Sequence, residues 1–150
     1  MYSYYSLLQE TIYVSIYCSL IYTIFSFVIE NNSLLFFISG FFKHFLGYYT
    51  GRQSVFCNQS QSCLKVHGDK NTKYIASNKN LLVESILEGF WFLIWGSIFL
   101  SFLLMVRIRR NKIYNIVYIF FLGGVTHLMA EWFGLHEYFC SVKCLKADNF

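Results

Sequence analysis

The stretch LLVESILEGFWFLIWGSIFLSFLLMV, residues 81–106, decides the fold class. Its only charges are Glu84 and Glu88, and it stops at the basic run Arg107-Ile108-Arg109-Arg110-Asn111-Lys112. A helix rises 1.5 Å per residue, so about 20 apolar residues cross a hydrocarbon layer. This stretch crosses with turns to spare. Three further apolar runs accompany it: residues 7–28, ended by Glu30-Asn31-Asn32; residues 34–50; and residues 113–134. The run 34–50 is the shortest, about 25 Å as a helix, with Tyr48 and Tyr49 placed to sit at an interface. One such run alone reads as the buried core helix of a soluble protein. Four in one chain leave no polar helix to cover the core. The expectation is an all-α membrane protein, one domain spanning 1–150, with four transmembrane helices.

Composition agrees. Only 13% of the residues are charged and 56% are hydrophobic, with 17 Phe, 12 Tyr, no Pro and a mean hydropathy of +0.45. Soluble domains carry about 25% charged residues. These values exclude a disordered tail, a nucleic-acid module with a broad basic face and most soluble enzymes. Few alanines against many isoleucines and asparagines indicate AT-rich coding. The N-terminus lacks the basic region and cleavage site of a secretory signal, so the first run is expected to remain as a span.

With four spans, the cysteine-bearing loop 51–80 and the tail 135–150 share one membrane face. The short turns near Asn31 and Arg109 share the other. Arg107, Arg109, Arg110 and Lys112 lie tight against two spans, which places that side in the cytoplasm or matrix. Arg52, Lys65, Lys70, Lys73, Lys79, Lys143 and Lys146 on the opposite face weigh against it; density decides for the cluster.

The second half of the chain repeats the first. GFFKHFLGYYTGRQSVFC, residues 40–57, aligns with GGVTHLMAEWFGLHEYFC, residues 123–140, with Gly, His, Gly, Phe and Cys at equal offsets. Upstream, Leu7-Leu8-Gln9-Glu10-Thr11-Ile12 aligns with Leu81-Leu82-Val83-Glu84-Ser85-Ile86. Each half reads as a helical hairpin, Glu near its start and His near its end, and the two are expected to be parallel repeats.

Counting along the helices puts Glu10, His44, Glu84, Glu88, His127 and Glu131 in one polar stratum, about 5–10 Å from the cysteine-bearing face. Ionisable groups inside spans are costly and face the bundle interior. The stratum reads either as interhelical packing, which is preferred, or as a site for protons, ions or a metal. His127 and Glu131, at i and i+4, are the candidate metal ligands. No HExxH or paired-carboxylate metal motif is present, and Tyr48 stands where the repeat would need Glu131's counterpart. Gly47-x-x-x-Gly51, Gly89, Gly96, Gly123 and Gly124 offer close helix approach.

Four cysteines, Cys57, Cys63, Cys140 and Cys144, follow the second and fourth runs on one face; Cys18 lies within the first run. They fit two disulfides if that face is oxidising, or a four-thiolate zinc site if it is reducing. Thiol redox catalysis is a third reading, though no CxxC is present. Asn58-Gln59-Ser60 is a glycosylation sequon.

The stretch from Phe120 through Gly123, His127, Glu131 and Gly134 to Phe139-Cys140 resembles a motif of small multi-pass membrane proteins of giant DNA viruses. There an aromatic pair and Gly precede His, then Glu, Gly, and an aromatic followed by Cys. Residues 36–57 are similar but lack the Glu. The resemblance implies a protein of a viral inner membrane or virus-modified host endomembrane, perched beneath a capsid, and brings no catalytic residues with it. The expected role is structural, anchoring membrane or capsid proteins through the cysteine-tied face, with homo- or hetero-oligomers open and no nucleic acid. A membrane enzyme or carrier, and an accessory subunit of a mitochondrial inner-membrane complex, are the alternatives.

Overall fold

Short polar caps start three of the long helices. Ser6 accepts from the Gln9 backbone N–H while the Gln9 side chain accepts from Ser6 N–H, a reciprocal box that opens α1 (Leu7–Ser26). Asn31 accepts from Leu34 N–H at 3.0 Å and opens α2 (Asn32–Tyr49); Asn111 accepts from Tyr114 N–H at 2.7 Å at the start of a helix over Lys112–Trp132. The structure is a computed structural model that describes residues 6–68, 72–105 and 111–147. In chain order its elements are α1, α2, α3 (Arg52–Gln59), α4 (Gln61–His67), β1 (Tyr74–Ala76), α5 (Leu81–Met105), α6 (Lys112–Trp132), α7 (Leu135–Lys143) and β2 (Cys144–Lys146). The basic residues Arg107, Arg109 and Arg110 and loop residue Lys70 lie outside the described residues.

The chain is mostly helical, as expected. Three helices, rather than the expected four, are long and apolar enough to cross a membrane: Leu7–Ser26, Leu81–Met105 and Ile113–Trp132. Helix α2 has 18 residues but carries Asn32, Lys43 and His44, which dilute its hydropathy below that of the others. The most apolar window of α5 is only 17% buried within the protein. Leu82, Ile94, Ile98 and Phe102 point outward from it, an apolar surface compatible with lipid contact and with an integral membrane protein.

The closest helix packing crosses the two halves of the chain: α2 lies along α5, and α1 along α6. Glycines set both contacts. A Cβ on Gly40 would sit 2.6 Å from the Glu88 carbonyl oxygen, and one on Gly96 would meet the Phe36 ring at 2.7 Å. On the other pair, a Cβ on Gly123 would lie 2.9 Å from Cys18 Cβ. Small residues let backbones approach in this way. Gly47 and Gly51 do something else: Gly47 only touches the Gln53 side chain, and Gly51 turns the chain at φ 74°. Between the helices, Cys18, Tyr22, Leu35, Phe36, Phe92, Tyr118, Ile119 and Leu122 form a continuous buried core. The Tyr118 hydroxyl is satisfied there by the Gly96 carbonyl at 2.7 Å.

The stretch 51–80, read as a loop, is folded. Together with the tail it forms a cap. Gly51 and Gly134 (φ 72°) end α2 and α6 in the left-handed conformation and send the chain into α3 and α7. Strand β1 pairs antiparallel with β2, Tyr74 opposite Lys146 and Ala76 opposite Cys144. Disulfides join Cys57 to Cys144 and Cys63 to Cys140, and all four sulfur-bearing residues are buried with Tyr74 and Ala76 in a second small core. Asn58 ties α3 to β1: its amide donates to the Ser54 and Tyr74 carbonyls, and its oxygen accepts from Tyr74 N–H at 2.8 Å. The sequon asparagine is therefore a structural clamp.

Candidate functional site: an ionic vestibule beneath the cap

Where the four long helices meet the cap, their ionisable side chains converge. Glu10 and Glu84 sit in the first turns of α1 and α5, where the helix dipole favours carboxylates. Glu10 Oε2 faces His127 Nε2 of α6 at 3.7 Å, and its Oε1 accepts from Gln61 N–H at 2.9 Å. Both side chains are almost wholly buried, at 4% and 3% exposure. Glu84 mirrors this arrangement on the other helix pair. Its Oε2 lies 3.4 Å from His44 Nε2 of α2, and its Oε1 lies 2.7 Å from Lys143 Nζ of α7. One turn along α5, Glu88 pairs with Lys43, whose ammonium also lies 5.2 Å above the Phe92 ring.

These groups surround a cavity of about 390 Å³. Of the six residues expected in the polar stratum, Glu10, His44, Glu84, Glu88 and His127 line it. Glu131 does not; it turns into the cap, where Ser62 donates to it, His136 Nδ1 lies 2.9 Å away and Lys65 lies 3.5 Å away. His127 and Glu131, the two candidate metal ligands, thus have different partners. Among the described residues the acidic, histidine and cysteine groups that converge tightly enough for an ion are Cys63, Cys140 and Cys144, within 4.8 Å of one another. As disulfides their sulfurs are not thiolate ligands; reduced, the same positions would make a soft sulfur site.

Several residues of the site were not anticipated from sequence. Lys43 is the clearest case, because a lysine midway along an apolar run demands a partner as strongly as a glutamate does. Lys143 and His136 gave no such signal: both belong to the tail, and only the fold of the cap brings them to the helices. His136 stands with its ring centre 4.5 Å from that of His127. Arg52, the first residue of α3, stacks 4.1 Å from the Tyr17 ring centre and donates to the Tyr13 hydroxyl.

The vestibule has a floor. Below Lys43 the apolar core of Phe92, Phe36, Cys18 and Ile119 is packed without exposure to solvent. Among the described residues, the buried ionisable groups therefore lie at this end of the bundle. Within the cap, His67 stacks on Tyr74 with ring centres 4.0 Å apart. Burial holds its pKa below the usual histidine range, and the nearby Lys146 charge adds to the effect.

The fold and site together define a helical protein with three helices able to cross a membrane, closed at one end by a disulfide-tied cap over an ionic vestibule. No protein-family model, curated protein or solved structure matches the chain.

Proposed function

We propose that this is a structural multi-pass membrane protein whose cap is a docking platform for partner proteins in a viral or virus-modified membrane. In this reading α2 crosses the bilayer as a fourth span, its Lys43 and His44 shielded by α5. The two helix pairs are copies of one duplicated unit. Support for duplication comes from the paired features: Glu10 with His127 and Glu84 with His44, and Gly51 and Gly134 both left-handed before a cysteine-bearing helix. The observation that carries the structural role is the double closure of the cap. Two disulfides and a β-ladder spend much of the extramembrane chain on rigidity, while its outer surface exposes Lys65, Lys73, Lys79 and Lys146.

Photo-crosslinkers placed at Lys73 and Lys79 in the native membrane, compared with one at the outward-facing Ile98, test this reading. A discrete protein adduct from the cap positions alone, lost when Lys65, Lys73, Lys79 and Lys146 are changed to Glu, is the expected result. Adducts to lipid only, at all positions, would remove the platform role.

A second reading has the cavity in its favour: a carrier or enzyme that handles an ion, metal or proton at Glu84, Glu88 and His127. Zinc bound stoichiometrically and lost in His127→Ala would select it. Against it stand the ion pairing of Glu84, Glu88, Lys43 and Lys143 with one another and the packed apolar floor, which suit a blind vestibule.

A further inference from the structure

We propose that the vestibule is a binding site for an anionic amphiphile, with the acidic head on Arg52 and the apolar body against Val14, Leu87, Trp91 and Phe139. Charge accounting leads there. Among the described residues lining the cavity, Lys43 is matched by Glu88 and Lys143 by Glu84, while the third carboxylate, Glu10, faces His127 rather than Arg52. Arg52 has no carboxylate among the described residues. Its guanidinium lies instead over the Tyr13 and Tyr17 rings, 4.9 and 4.1 Å from their centres, which orients its planar donor fork without a carboxylate at ion-pair distance. A guanidinium presents paired N–H donors to a carboxylate or phosphate, and an acid group would supply the direct ion-pair partner that Arg52 lacks.

The rest of the lining fits such a molecule. The cavity wall is largely apolar outside its ion pairs, and about 390 Å³ lies within the usual range of ligand sites. Among the buried polar atoms of the lining that make no hydrogen bond are Glu10 Oε2 and His127 Nε2, 3.7 Å apart. A hydroxyl placed between them would donate to the carboxylate and accept from a protonated ring nitrogen. Buried polar atoms are rarely left unpaired, so this pair marks the wall as prepared for a polar group that the chain does not provide. The packed floor limits the ligand to entry from the cap end or between helices. This site is independent of whether the outer cap binds a protein.

The test uses the full-length protein in phosphatidylcholine nanodiscs, with binding followed by native mass spectrometry and by Trp91 fluorescence. The probes are palmitate, 1-palmitoyl lysophosphatidic acid and the uncharged 1-palmitoyl glycerol. Saturable one-to-one binding of an acid probe, about tenfold tighter than the uncharged one, is expected. Arg52→Gln should weaken the acid probe about tenfold and leave the uncharged probe unchanged, with both disulfides retained as a check on folding; Arg52→Lys should keep part of the affinity. Preference between palmitate and lysophosphatidic acid tells a carboxylate ligand from a phosphate one. Equal binding of all three probes, no effect of Arg52→Gln, or no saturable binding would each overturn the proposal.

Discussion

Glu10, in the first turn of the first helix, meets His127, near the end of the last long helix, 3.7 Å away. Glu84, in the first turn of α5, meets His44 of α2 at 3.4 Å. Each half of the chain therefore contributes its glutamate to the other half's histidine. This crossing matches the packing of α1 on α6 and α2 on α5, so electrostatics and close glycine contacts specify the same arrangement.

Removing both members of the Glu10–His127 pair should cost less than the sum of removing each alone. Glu10→Ala strands His127 and the Gln61 N–H, and is expected to destabilise by about 3 kcal/mol. Glu10→Ala combined with His127→Ala should fall short of the sum of the single effects by about 1 kcal/mol. Unfolding in mild detergent, followed by circular dichroism, measures both; simple additivity would show that the two side chains do not interact.

Thiol counting on the denatured protein, alkylated without reductant and weighed intact, should give one label. That label belongs on Cys18, which is fully buried in the helix core and unpaired. Five labels would mean that the cap holds free thiols, and would revive the zinc reading of its sulfur cluster.

Glycine substitutions should separate packing from turning. Gly40→Ala drives a methyl group into the Glu88 carbonyl and the Phe92 Cβ at 2.6 and 2.7 Å, and should cost about 1–3 kcal/mol. Gly47→Ala meets only the Gln53 side chain at 3.8 Å and gains helix propensity, so it should be neutral or stabilising by up to about 1 kcal/mol. Thermal melts of the two variants side by side provide the comparison.

The cap should loosen in mild acid. His67 is held below its ordinary pKa of 6.5, so the unfolded chain takes up its proton first. Stability from this group is full above pH 6.5 and is lost as pH falls below it. Denaturation of the cap, followed through Tyr74 and the intact disulfides between pH 8 and 5, should show that slope, and His67→Gln should flatten it.

Asn58 should carry no glycan even where the cap lies in a glycosylating compartment, because its amide is committed to Ser54 and Tyr74. Intact mass before and after endoglycosidase treatment reads this directly, and a shift would show that the clamp forms only after the chain has been exposed to the transferase.

Much of this arrangement was legible before any coordinates. Apolar run length located α1, α5 and α6, and helix rise alone put Glu10, His44, Glu84 and His127 at one level. Cysteine placement identified the face that is cross-linked. Other features were not legible, for physical reasons. The pairing of Cys57 with Cys144 depends on how α3 and α7 fold back, and spacing does not encode that. Residues 51–80 lack the long periodicity that marks a helix, yet form α3 and α4 because the disulfides and β-ladder hold short elements that would not stand alone. Counting turns places Glu131 in the helix interior, but the helix ends before Gly134 and His136 draws the carboxylate into the cap. Lys43, a charge within an apolar run, is by contrast a signal the sequence does carry, since it demands a buried partner.

The crossed arrangement has a consequence for how the protein is made. A nascent chain that ends before Leu81 holds Glu10, Lys43 and His44 but none of Glu84, Glu88 or His127. Half-synthesised protein therefore carries three charge-bearing side chains whose counterparts have yet to leave the ribosome. Cys57 waits longer still, since its partner Cys144 follows 87 residues later. The cap is thus latched only once residues 140–146 have been made. A chain truncated after Trp132 would retain every long helix and still lack β2, Lys143 and both bridges, leaving the first half unlatched and visible to membrane quality control.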